Sequence, residues 1–317
     1  MSSLSIPAAT LGDAPNNVAA NNVWTVGMMS EGLALSGPTR WCIPQFKATA
    51  TTPTIRVERN LAVAWDKVRW ASIPEYQTTN PFASVKVPWR EVWRVAEGTD
   101  GMVIVWLPDG GRYEILNLRR AAVFFGPYVC DHMHYVPPLG CNPETHTVRG
   151  AGQLSRLDGL LTVDMLDAGL IPTALSFAAR NVQFGPDATY VAPATRVEHR
   201  KVSQRADTGM DPLLFMNPGG TRFRLDVTDN DIARWLDSRG YPTAKRRTAG
   251  IVAIALRDYG ICQTTTCALR PYIETEGMLN ASTATAWREH GLTTMSDFRT
   301  LLDGLVTVDR LKVVNPA

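Results

Sequence analysis

Apolar and polar positions alternate through much of the chain from residue 22 to about 125. Thr54-Ile-Arg-Val-Glu58 and Leu61-Ala-Val-Ala-Trp65 alternate apolar with polar or small side chains. Gly, Pro and Asn punctuate such runs, which predicts short strands. The strongest local signal is Gly101-Met-Val-Ile-Val-Trp-Leu107, Pro108-Asp-Gly-Gly111, Arg112-Tyr-Glu-Ile-Leu116. Two apolar strands flank a turn whose glycines supply the positive φ that a hairpin requires. From about 126 to 150 repeated Pro and Gly predict a loop.

Further along, Thr162 can cap a short helix from Val163 to Ala168 that Gly169 closes. Leu170 to Ala179 and Val182 to Val191 read as strands, and the polar stretch 196–220 as a long surface loop. Thr221 to Val227 alternates as a strand. Asp229 to Arg239 sets Ile232, Trp235 and Leu236 at helical spacing behind an Asp/Asn-rich start. Thr243 to Tyr259 reads as a helix whose apolar C-terminal half is buried, with Gly260 ending it. Ser296 is the expected cap of a last helix carrying Phe298, Leu301, Leu302 and Leu305, followed by a strand from Leu311 to Val314. Many short strands with few helices predict a mainly β fold, a β-sandwich or jelly roll with peripheral helices, with α+β as the alternative. The expected organisation is an extended arm over 1–22 and a single domain over 23–317, with a sub-boundary near 196–220.

Composition narrows the class of molecule. The 317 residues are 45% hydrophobic and 20% charged, an ordinary globular balance with ample material for a core. With 32 Lys+Arg against 30 Asp+Glu, the net charge of +2 argues against a nucleic-acid-coating protein. No apolar run approaches the roughly 20 residues of a membrane span, so no membrane insertion is expected. The first residues lack the basic and apolar regions of a Sec signal peptide. The Ala-, Asn-, Ser- and Pro-rich start reads as a frayed tail or as a strap that orders on a neighbouring subunit of a homo-oligomer. Five cysteines, Cys42, Cys130, Cys141, Cys262 and Cys267, are odd in number and scattered, which is no disulfide framework. Synthesis in a cytoplasm follows.

Several stretches carry a resemblance: Gly98-Thr-Asp-Gly-Met-Val-Ile-Val105 with Tyr113-Glu114, Gly159 to Leu175, Tyr190-Val-Ala-Pro-Ala-Thr195, Thr221-Arg-Phe-Arg-Leu225 and Ile254 to Ile261. In this order they resemble a group of bacterial cell-surface proteins with relatives among phage virion proteins, over about half of the chain. Where that group has a His after the Gly-Thr-Asp-Gly turn, a His before the Ala-Leu pair and an Asp-Gly after Pro-Ala-Thr, this chain has Met102, Thr173 and Val197-Glu198-His199. The apolar frame is kept and the polar positions are not, so the resemblance implies a shared fold. With no export signal, it implies a virion component, a tail or tail-tip protein bound to other virion subunits.

Two constellations stand out as candidate sites. Cys130, His132, His134, Cys141 and His146 hold three of the five His and two of the five Cys. His132 and His134 would share one face of a strand, a start for Zn or Fe coordination. The alternatives are a polar loop or a buried pair satisfied by backbone. Seven of the nine Trp fall at or before Trp106. Among them Trp89 and Trp93 alternate with Arg90, Glu91 and Arg94, and Trp106 is followed across the turn by Tyr113. Aromatic faces beside charged groups suit a host cell-envelope glycan or a protein partner, and the same Trp residues could instead fill the core. Glu114, Asp131, Asp158, Asp164, Asp167, Glu198 and Asp226 are the carboxylates available to a glycan-degrading alternative, and no spacing pairs them. Cations group at Arg196 to Arg205 and at Lys245-Arg-Arg247, the latter at a helix start where the dipole disfavours them.

Overall fold

A computed structural model describes residues 3–13, 32–60, 84–98, 101–121, 127–138, 155, 157–179, 190–194, 218–266 and 271–315. The strands in chain order are β1 (Ala34–Leu35), β2 (Gln45–Lys47), β3 (Thr54–Arg59), β4 (Ser84–Pro88), β5 (Val103–Trp106), β6 (Arg112–Leu116) and β7 (Arg119–Arg120). They continue as β8 (Tyr128–Cys130), β9 (His132–Val136), β10 (Leu175–Ala179), β11 (Arg222–Leu225), β12 (Ile261–Thr266), β13 (Tyr272–Ile273) and β14 (Leu311–Val313). The helices are α1 (Ala8–Leu11), α2 (Val163–Asp167), α3 (Asp229–Arg239), α4 (Thr243–Asp258), α5 (Ala281–Glu289) and α6 (Met295–Thr300). The fold is mainly β, with three mixed sheets among the described residues. No helix among the described residues is long and apolar enough to cross a membrane.

By their internal contacts the residues group into two compact units. The larger comprises Met1–Ser36, Arg149–Thr275 and Thr285–Ala317; the smaller comprises Gly37–Val148 and Glu276–Ala284. The stretch 196–217, near which a sub-boundary is expected, lies outside the described residues.

The larger unit is built on a six-stranded sheet in the order β1-β13-β10-β12-β11-β14. β10 and β12 run parallel, with a bulge between Phe177 and Ala178, and β11 and β14 close the sheet antiparallel. The core includes Phe177 and Phe223, edge to face at 5.9 Å, and Trp287 against Phe298 at 5.2 Å. α3 begins at a capping box in which Thr228 Oγ1 accepts from the Asp231 amide, and it buries Ile232 and Trp235. α4 buries Val252, Ala253, Ala255 and Leu256, as its apolar half requires. Gly260 follows with φ +81°, where a Cβ would stand 2.1 Å from the Phe223 carbonyl oxygen, so only glycine fits this entry to β12.

Two of the cations at the start of α4 are matched by carboxylates: Lys245 Nζ lies 2.8 Å from Asp297 and an Arg246 nitrogen 2.6 Å from Asp237. The last helix is shorter than its apolar spacing suggests. Thr294, not Ser296, caps it, and Leu301, Leu302 and Leu305 are buried in the turns that follow. α5 carries no expected counterpart: its Ala- and Thr-rich sequence shows only Trp287 as a large apolar side chain.

Of the N-terminal stretch, residues 3–13 are described, and they pack on their own chain. Leu4 and Ala8 are buried, and the Leu4 carbonyl accepts from the Ala174 amide. The buried Arg222 guanidinium donates to the carbonyls of Ile6 and Tyr259, and Arg224 pairs with Asp13 at 3.1 Å. Residues 3–13 are therefore tied down within their own chain.

The smaller unit holds two four-stranded sheets, β2-β5-β6-β9 and β4-β3-β8-β7. The expected hairpin forms between β5 and β6 with Val105 opposite Tyr113, and Gly110 has φ +88° in its turn. The stretch expected as loop after residue 126 contains β8 and β9, which find partners in β3 and β6. Side chains from both sheets meet in one apolar cluster that includes Phe46, Val57, Val85, Val105, Ile115 and Met133.

Candidate binding groove

Trp89 and Trp93 follow the end of β4, and the chain folds them back over the cluster rather than out to solvent. Trp89 is 5% exposed and Trp93 9%, and the Trp93 ring stacks on Phe46 at 4.9 Å. Tyr113 is buried in the same cluster beside Tyr135. Trp106 is half-buried: its indole N–H donates to Gln45 Oε1 at 2.8 Å, and the Arg112 guanidinium lies 5.2 Å from its ring centroid. Trp93 and Tyr113 thus pack in the cluster, the core-filling alternative for such residues, and Trp106 sits half-buried at its edge. Arg94 spends its guanidinium on the backbone carbonyls of Trp93 and Glu91.

Trp89, though buried, and the exposed Arg90 also line a groove. At the place where the cluster reaches solvent, Pro53, Ile55, Trp89, Arg90, Glu91, Arg120 and Tyr128 line an open groove of about 410 Å³. β3 supplies Ile55, which sits two residues before the core residue Val57 and packs against the cluster. Tyr128 lies opposite Val57 across the β3–β8 ladder, and Arg120 lies opposite Tyr128 across β7–β8. The aromatic pair Trp89–Tyr128 is spaced at 6.3 Å between centroids.

Arg120 is the most connected polar group at this lip. Its Nε donates to the Tyr128 hydroxyl at 3.2 Å, its guanidinium lies 5.4 Å from the Tyr128 ring centroid, and it faces Glu91 at 3.7 Å. The hydrogen bond to Tyr128, with attraction to Glu91, pushes its pKa up. Arg90 and Glu91 are exposed. The groove therefore offers an apolar, aromatic floor with two guanidinium groups and one carboxylate at its margin. Tyr128 and Arg120 were not singled out in the sequence; the Arg120–Tyr128 pairing depends on a β7–β8 ladder that local spacing does not announce.

The His-rich segment is divided by its strand. Met133 and Tyr135 pack toward the apolar cluster, so His132 and His134 leave the other face of β9. Cys130 lies on β8 inside the cluster, where burial pushes its thiol strongly up, away from the thiolate a metal needs. Burial likewise pushes the Cys42 thiol up to about 12. Cys130 thus lies within the apolar cluster, whereas the two histidines leave the other face of β9. Cys141 and His146 lie outside the described residues, and no group of three or more metal-ligating side chains forms among the described ones.

His134 is fully buried and stands opposite Glu114 across β6–β9, beside the Arg112–Glu114 ion pair at 2.9 Å. The other carboxylates have separate engagements. Asp131 would be raised by partial burial, but hydrogen bonds from Asn117, Asn60 and Arg119 hold it below the usual carboxylate range. Asp158 accepts from the Ser155 amide, Asp167 meets His290 Nε2 at 2.9 Å, and Asp226 pairs with Arg224 at 2.9 Å. Glu198 and Cys267 lie outside the described residues, as do Trp24, Trp65 and Trp70.

Comparison with protein-family models, with curated proteins and with solved structures finds no match.

Proposed function

We propose that this chain is a non-enzymatic binding subunit of a phage tail or tail tip, the class its sequence resembles, which attaches to host-surface glycan through the groove of the smaller unit. The observation that carries this reading is the groove itself: Ile55, Trp89 and Tyr128 form an apolar and aromatic surface with Arg90, Arg120 and Glu91 at its margin. Sugars present apolar ring faces and a polar periphery, and aromatic side chains with polar tips fit both. Glu91 is the one carboxylate among the lining residues, whereas glycoside hydrolysis uses two. On the same reading the smaller unit, two sheets over one apolar cluster, is the sandwich-like part of the fold. Copies of the chain assemble with one another and with other virion subunits.

Intrinsic tryptophan fluorescence tests the proposal, because Trp89 lies in the groove. Envelope oligosaccharides from the host are expected to shift the emission saturably, and Tyr128→Ala to weaken binding about tenfold, the scale of one lost aromatic contact. No reducing ends should accumulate. Steady release of reducing ends, or saturable binding that Tyr128→Ala leaves unchanged, would overturn the reading.

A further inference from the structure

The charges at the groove's margin are unequal. Arg90 and Arg120 bring two cations and Glu91 one anion, and all three are exposed. Arg120 already holds a carboxylate, loosely: the Glu91 oxygen is 3.7 Å away and the Glu91 side chain is 90% exposed. An ion pair this open and this long contributes little and is readily exchanged. The guanidinium is nevertheless oriented, because Tyr128 holds it by a hydrogen bond at 3.2 Å and by its ring face. An oriented guanidinium beside an apolar surface is suited to a planar carboxylate, which it can grip through two parallel N–H bonds.

Resting on the reading of the groove as a glycan site, we propose that the sugar it selects is acidic: a hexuronic acid residue whose carboxylate displaces Glu91 from Arg120 while its ring lies over Ile55 and Tyr128. Arg90 adds attraction without a fixed contact. Glu91 then acts as an internal competitor that fills the cation in the empty groove and repels the ligand in the occupied one.

This assignment makes opposite demands on neighbouring residues. Titrations would use oligogalacturonate, the matching neutral oligogalactose and poly-glutamate as probes, with the wild-type chain and the Arg120→Gln and Glu91→Gln variants. Oligogalacturonate is expected to bind about tenfold tighter than oligogalactose, the scale of one charge-assisted hydrogen-bonded contact. Arg120→Gln should remove that preference, Glu91→Gln should increase it a few-fold, and added salt should weaken it. Equal affinity for the acidic and neutral sugars overturns the acidic preference while leaving glycan binding intact. Binding of neither sugar overturns both. Poly-glutamate binding as well as oligogalacturonate, or a loss of affinity in Glu91→Gln, shows that a bare anion site or a supporting Glu91 governs the groove, and overturns the assignment.

Discussion

Glu114 and Arg112 stand two residues apart on β6, so both leave the same face of the sheet. Glu114 has no exposed side-chain surface and Arg112 only 10%, so this is a buried ion pair. Pairs of this kind add little over apolar packing, but loss of one member strands the other without solvent. Glu114→Ala is therefore expected to destabilise the protein by about 3 kcal/mol in urea unfolding, whereas Arg112→Met combined with Glu114→Leu should sit much closer to wild type. A double variant as unstable as the single one would show that these groups matter through other bonds than the one they share. The same alternation explains what was hidden at the level of residues. Tyr113 and Glu114 are neighbours in sequence, yet one lies in the apolar cluster and the other on the opposite face, and β6 gives no polar–apolar contrast by which to tell them apart. Trp89 and Trp93 were equally ambiguous, because a tryptophan beside arginines has the same sequence signature at a surface and at the margin of a core.

Helix ends were more legible, since their chemistry is local. α3 and α4 follow the expected spans because Thr228 with Asp231 and Gly260 mark their limits in the sequence itself. α6 differs by its cap. Asp297 accepts from the amides of Thr293 and Thr294 and from Lys245, and Thr294 Oγ1 receives the Asp297 amide. Partial burial would raise the Asp297 carboxyl, but Lys245 and these hydrogen bonds hold it well below the usual range. A folded-state pKa below the unfolded value of about 3.9 gives stability that is complete above that value. It is lost as pH falls toward the folded pKa. Urea midpoints should therefore drop from about pH 5 downward, and Asp297→Asn should lower stability at pH 7 while flattening that acid slope. An unchanged slope would remove Asp297 from the acid response. The sheet orders were not legible, and for a related reason: Leu175 pairs with Ile261, and β1 with β13, across long intervening chain that carries no local record of the pairing.

At the scale of the whole molecule, the smaller unit interrupts the larger one. The chain builds β1, leaves at Ser36, forms most of the smaller unit, and returns at Arg149 to complete the six-stranded sheet. Each unit has apolar packing of its own: Phe46, Val105 and Met133 with their neighbours in the smaller, Phe177 with Phe223 and Trp287 with Phe298 in the larger. Cooperative opening follows contiguous packing rather than chain order, so the two units are expected to respond separately to a defect in one of them. Phe298 has no exposed surface, and Phe298→Ala should cost about 3 kcal/mol or more through lost burial and the cavity left behind. That is roughly a hundredfold in an opening equilibrium. Amide hydrogen exchange should accordingly accelerate across β10 and β12, while the β5–β6 hairpin keeps its wild-type protection. The arrangement would also let the larger unit vary its stability without disturbing Trp89, Tyr128 and Arg120 in the groove. If protection of β5 and β6 fell as far as that of β10 and β12, the units would unfold as one, and the groove could not be treated as a site supported by the smaller core alone.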